Sequence, residues 1–130
     1  MLTTGMCGKK EILVDETVTA KAIASGLLDV YATPCMISLI EETAWKSIQA
    51  ELEDGQGTVG TLLNIRHLSA TPVGMHVRCE TELIEIDRRR LVFAVNVFDD
   101  CGKVGEGTHE RFIIDNDRFL KKAYEKRQQG

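Results

Sequence analysis

The sequence predicts an α+β domain in which an antiparallel sheet of five to six strands wraps around one long central helix. Three observations carry this. A long 3.6-residue apolar period occurs at about Cys35 to Glu53. One weaker strand-like stretch precedes it, and four stronger ones follow, punctuated by Thr71-Pro72-Val73-Gly74 and Asp99-Asp100-Cys101-Gly102. A helix and a meander that each have one apolar side can bury those sides against one another.

The first strand is expected at Glu11 to Thr19, with Ile12, Val14 and Val18 on one face. Pro34 then stands near the first turn of the helix and Gly55 beyond its end. At about 100° per residue, Ile37, Ile40, Ala44, Trp45, Ile48 and Leu52 share one arc, opposite Glu42, Lys46, Gln49 and Glu53. Strands follow at about Thr58 to Leu68 and Met75 to Ile86. In the second of these, Met75, Val77, Cys79 and Leu83 alternate with His76, Arg78, Glu80 and Glu82. Asp87 to Arg90 turns the chain into a strand at Leu91 to Phe98, where Leu91, Phe93, Val95 and Val97 share a face. A strand at Lys103 to Ile114 and a short helix at Asn116 to Arg127 complete the expected elements.

The 130 residues, 43% of them apolar, supply one core, so residues 1–130 are read as one domain. A net charge of −4 argues against nucleic-acid binding, which needs clustered cations to neutralise phosphates. Arg88-Arg89-Arg90 and the run with Arg118, Lys121, Lys122, Lys126 and Arg127 read as a solvated turn and a solvated helix face. Cys7, Cys35, Cys79 and Cys101 lack C-x-x-C spacing, and the three histidines lack zinc-binding spacing, so no metal is expected. With no stretch near the ~20 apolar residues of a membrane span and no signal-peptide pattern, the expectation is a soluble, cytoplasmic protein.

Glu41 falls inside the apolar arc of the helix, between Ile48 and Leu52 in angle. Burying an unpaired carboxylate costs several kcal/mol, so Glu41 must be tied to a structural arginine such as Arg66 or Arg111, or face a cavity. The local sequence favours Thr33 as a helix cap, a place that also faces unpaired backbone N–H groups suited to developing negative charge. His67 shares a strand face with Thr61, Leu63 and Ile65, where a lone histidine is more often a hydrogen-bonded core residue than a catalyst; His76 and His109 read the same way. Gly105-Glu106-Gly107-Thr108 lacks a third glycine and leads into Phe112-Ile113-Ile114, a strand, which excludes a dinucleotide fingerprint.

Together these segments resemble the fluoroacetyl-CoA thioesterase family of hotdog proteins. The match lies in Ala32-Thr33 with Glu41 eight residues on and Trp45 a turn later, in Gly60-Thr61 with His67 continuing to Ala70-Thr71-Pro72 and Gly74, and in Gly105 to Arg111. It covers about residues 8 to 120. The resemblance implies that Thr33, Glu41 and His67 are the hydrolytic group, that the Gly60 N–H lies near the thioester oxygen and that Arg111 assists. It also implies a homodimer formed by edge-to-edge pairing of sheets, with acyl-CoA sites at the interface and no cofactor beyond the CoA of the substrate. Phenylalanines form a lid in the fluoroacetyl-specific member, whereas Ala22 to Val30 here holds no aromatic residue. The expectation is therefore hydrolysis of another short- or medium-chain acyl-CoA, with Glu41 as nucleophile or water-activating base. A hydratase or dehydratase on the same fold, and an acyl-CoA-binding domain without turnover, are the alternatives.

Overall fold

The computed structural model describes residues 1–129. Its elements are β1 (Cys7–Leu13), α1 (Thr33–Ile48), β2 (Gln56–His67), β3 (His76–Asp87), β4 (Arg90–Asp99), β5 (Gly102–Asp115) and α2 (Asn116–Tyr124), with single 3-10 turns at Glu16–Val18, Gln49–Glu51 and Glu125–Gln128. One five-stranded antiparallel sheet has the order β1-β3-β4-β5-β2. The last four strands thus form the expected meander except that β2, first in sequence, lies at the far edge beside β5. Among the described residues no helix is long and apolar enough to cross a membrane.

β4 is the middle strand, and its Leu91, Phe93, Val95 and Val97 are buried as their alternation requires. Helix α1 lies on that face, burying Met36, Leu39, Ile40, Thr43, Ala44 and Ile48. This face is rotated from the expected arc: Trp45 is 37% exposed and Ile37 only half-buried. Thr43 can be buried because its hydroxyl donates to the Leu39 carbonyl at 2.7 Å, which satisfies its polar atom within the helix. The rotation moves Glu41 to a flank, where its side chain is 40% exposed rather than enclosed in core. Glu42 faces the other way and accepts from Lys10 at 2.6 Å and Lys46 at 2.5 Å.

The first strand begins and ends earlier than its sequence suggests. Asp15 accepts from the Thr17 amide at 2.8 Å and from its hydroxyl at 2.5 Å, which turns the chain after Leu13. Val14 and Val18 still pack into the same core cluster as Ile12. The face was read correctly, but it spans a strand and a turn. At the β3–β4 turn Arg88 and Arg89 are exposed, while Arg90 is tied to Glu85 at 2.7 Å and Glu110 at 2.8 Å. Helix α2 buries none of its residues, in keeping with a solvated basic face.

Strand β2 carries the irregularity that matters most for the site. Gly60 pairs with Arg111 and His67 with Gly105, the register slipping by one residue between Gly60 and Leu62. Seven residues separate Gly60 from His67, an odd number that in a regular strand puts them on opposite faces. Their partners on β5 are six apart, so the bulge at Thr61 returns both to the same face. Further along the ladder, opposite Ile65, Gly107 has φ +151° and approaches β2 so closely that a Cβ would lie 2.0 Å from the Asn64 carbonyl oxygen. Gly5, with φ +96°, faces open space. Gly107→Ala should therefore lower the unfolding free energy by about 3 kcal/mol or more, against about 1 kcal/mol for Gly5→Ala, whose cost is backbone strain alone. Urea unfolding of both variants checks this, and equal losses would contradict the close approach.

Candidate active site

Thr33 is the first residue of α1, preceded by Ala32 at the N-cap and followed by Pro34. Its hydroxyl does not cap the helix, as its local sequence suggested. It lies 2.7 Å from Nδ1 of His67, the last residue of β2. The helix starts one residue earlier than a Thr33 cap requires: Ala32 has the extended N-cap backbone and its carbonyl accepts from the Met36 amide at 3.1 Å, so Thr33 already lies inside the first turn. The pair opens on a cleft of about 320 Å3, lined by Ala20, Ser25 and Val30 from the loop before the helix and by Leu68 to Ala70 after β2. Burial pushes the His67 pKa down, the Ser69 backbone acting against it. Nε2 of His67 is buried without a hydrogen-bond partner.

A second group lies two turns along α1. Arg111, 5% exposed, reaches Glu41 Oε2 from Nη1 at 3.3 Å. The same nitrogen stands 3.2 Å from His109 Nε2, while Nε donates to the Thr58 hydroxyl at 2.7 Å and Nη2 to the Thr58 carbonyl at 2.9 Å. Four of the five guanidinium N–H groups are thereby engaged, which fixes the plane of the cation. Burial lowers the pKa of Arg111 and Glu41 opposes that shift. Gly60 lies beneath the pair: a Cβ there would come within 2.6 Å of Glu41 Oε2. Only a residue without a side chain lets the carboxylate rest against the strand.

Of the residues singled out in the sequence, the fold thus pairs Thr33 with His67 and gathers Glu41, Gly60 and Arg111. It does not join the two groups within one chain, because eight residues of helix separate Thr33 from Glu41 by about 12 Å along the axis. Arg111, not Arg66, holds Glu41. His76 is exposed beside Asp100, away from both groups. Thr58 and His109 complete the arginine's setting and were missed as site residues. Their signal existed only across strands: Thr58 pairs with Ile113 and His109 with Leu63 in the β2–β5 register.

A family model for the fluoroacetyl-CoA-specific thioesterase matches residues 14–117, a span that contains both groups. The chain belongs to the fluoroacetyl-CoA-specific thioesterase family. A relative within it, the fluoroacetyl-CoA thioesterase of Streptantibioticus cattleyicolor, is 35% identical over 102 residues, or 78% of this chain and 73% of its own. A solved structure of a fluoroacetyl-CoA thioesterase superposes with a TM-score of 0.92 at 29% identity, covering 97% of this chain and 98% of that one. A thioesterase superfamily member from Thermus thermophilus gives 0.88 at 25% identity over 99% and 97% of the two chains. A hot-dog-like protein from Thermanaerovibrio acidaminovorans, at 19% identity and a TM-score of 0.87 over 96% and 93%, extends the likeness in fold alone. The helix-wrapping sheet of this fluoroacetyl-CoA-specific thioesterase family member is thus the hotdog fold.

Two outcomes follow from these contacts. Thr58→Val keeps the carbonyl but removes the hydroxyl that accepts from Arg111 Nε, and should lower the unfolding free energy by about 1–3 kcal/mol in urea titrations. An unchanged midpoint would mean that the arginine needs no such anchor. His67 and His109 both have pKa values lowered from 6.5, in each case by burial first, with Arg111 adding to the effect at His109. As pH falls below 6.5 the unfolded chain takes up protons on them before the folded one does, so stability present above 6.5 is lost towards the lower folded values. Between about pH 7.5 and 5.5 each should therefore contribute a loss of stability, reduced in His67→Gln and in His109→Gln.

Proposed function

We propose that this acyl-CoA thioesterase hydrolyses a short- or medium-chain acyl-CoA ester, with Glu41, Thr33 and His67 carrying the reaction and Gly60 and Arg111 serving it. The observation that carries the reading is the Glu41 carboxylate, held by Arg111 over a glycine backbone with 40% of its side chain still open to solvent. A carboxylate that is both fixed and wet is suited to take a proton from water as the oxygen adds to the thioester carbon. The C–S bond then breaks, giving the free acid and the CoA thiol. Thr33 stands at the positive end of the α1 dipole, and with the Gly60 N–H it supplies a polar setting for the carbonyl oxygen. His67 with Nδ1 unprotonated accepts from the Thr33 hydroxyl across their 2.7 Å contact, which keeps the hydroxyl oxygen available to the acyl group. Ala22 to Val30 holds no aromatic residue and the cleft beside Thr33 is about 320 Å3, which favours an acyl group other than fluoroacetyl. Four free cysteines suit a reducing compartment, in keeping with a cytoplasmic enzyme.

A homodimer reconciles the two separated groups. β2 is an edge strand of twelve residues with Leu62 44% and Leu63 37% exposed, and such an edge invites pairing. Antiparallel pairing of two β2 strands about a two-fold axis between Leu63 and Asn64 sets Gly60 opposite the His67 of a second copy, because the two positions lie symmetrically about that axis. The Glu41 of one protomer then serves the Thr33 and His67 of the other.

Free-thiol release from a panel of acyl-CoA esters tests the activity. Glu41→Ala and Thr33→Ala should each lose about 100-fold or more in kcat while acyl-CoA Kd stays within about threefold. Tight binding without thiol release from any ester would replace the hydrolase reading with a binding domain. Mixing and re-associating those two inactive variants should restore about a quarter of the native rate, since half of the dimers are mixed and each has one intact site. No recovery would place each site within one protomer. The acid limb of kcat/KM should have its midpoint below pH 6.5, activity falling as His67 takes up a proton, because burial lowers that pKa. A limb that persists in His67→Gln would assign it elsewhere.

A further inference from the structure

We propose that His109, which has no part in the reaction as assigned above, is a positioning residue that locks the β2 bulge carrying Gly60 to the guanidinium that holds Glu41. The ring is fully buried and stacks on Phe93, with centroids 6.2 Å apart. Its Nδ1 lies 2.9 Å from the Leu62 carbonyl oxygen, at the end of the bulge. A carbonyl only accepts, so Nδ1 carries the proton. Its Nε2 lies 3.2 Å from Arg111 Nη1, and a guanidinium only donates, so Nε2 presents its lone pair. The two partners leave one state for the ring: neutral and protonated on Nδ1.

Each bond has a separate consequence. The first ties the bulge to β5, alongside the bond from the Thr61 hydroxyl to the Glu110 carbonyl at 3.2 Å. The second takes one of the two N–H groups of Nη1 and leaves the other directed at Glu41 Oε2, 3.3 Å away. Without an acceptor at position 109, that N–H is buried and unsatisfied, and the guanidinium turns to recover a partner. The Glu41 carboxylate, seated over Gly60, moves with it. A shift of this kind acts on the transition state more than on the binding of substrate, so it appears in kcat.

The kinetic part of the proposal rests on the hydrolase reading; the ring state does not. Three variants separate the bonds. His109→Gln places an amide oxygen where Nε2 was and keeps an acceptor for Arg111. His109→Asn places an amide N–H where Nδ1 was and keeps only the bond to Leu62. His109→Phe keeps the packing on Phe93 and neither bond. With KM within about threefold throughout, kcat should fall about threefold in the Gln variant and about 30-fold or more in the Asn and Phe variants. Folded Asn or Phe variants with kcat within about twofold of the native chain, or a Gln variant that loses as much as they do, would overturn the positioning role, whatever the melting temperatures. Ring 15N shifts of the native protein, read between pH 7 and 8, should report a neutral imidazole protonated on Nδ1. A proton on Nε2 would overturn the network even if the kinetics agreed. A native chain that hydrolyses no ester would fail the hydrolase reading instead, and the 15N result would still decide the network.

Discussion

The change of phase in β2 is the constraint on which the rest of this molecule depends. A strand has two faces and a period of two, and the chain needs Gly60 and His67, an odd number of residues apart, on the side that faces α1. One extra residue at Thr61 meets that need. It lets the first half of the strand receive Glu41 and the second half receive Thr33, so that a single helix is read against a single strand at two places. A regular β2 would bury one of these contacts and expose the other.

Arg111 is the second organising element, and its energetics explain the crowd around it. Removing a guanidinium from water costs several kcal/mol unless its donors are met. Thr58 meets two of them, His109 and Glu41 one each. The carboxylate keeps 40% of its side chain exposed, and it is the partner to which the proposed reaction assigns contact with a small molecule. The burial of the cation and the openness of the anion thus divide the pair into a fixed half and a working half.

Much of this could be read along the chain. The faces of β3 and β4, the glycine-containing β5 strand and the helix after them all carry local periods or turn signals, and these elements came out within a few residues of their expected bounds. The helix arc was turned because hydropathy ranks Trp45 above Thr43, whereas Thr43 hides its hydroxyl on the Leu39 carbonyl and packs well. The motif residues of the two groups were legible, but Thr58 and His109 were not, since their roles come from β2–β5 register and no local pattern encodes register between strands so far apart in sequence. The 12 Å between Thr33 and Glu41 was implicit in the helix itself, where eight residues make more than two turns.

The glycines of this sheet restrict where the enzyme can diversify. Gly60 is filled by the Glu41 carboxylate, Gly105 faces the Met36 sulfur at 2.8 Å from a would-be Cβ, and Gly107 meets the Asn64 carbonyl. A side chain at Gly107 would collide with backbone, and one at Gly60 or Gly105 would have to displace the Glu41 carboxylate or the Met36 sulfur, so selection for a new acyl group has costly access from the strands. The loop from Ala20 to Val30 is under no such restriction: Leu27 is 89% and Leu28 68% exposed, and both side chains can change without disturbing the core. A lineage of such enzymes would keep its sheet nearly fixed while its preference for substrates drifted through one short surface segment.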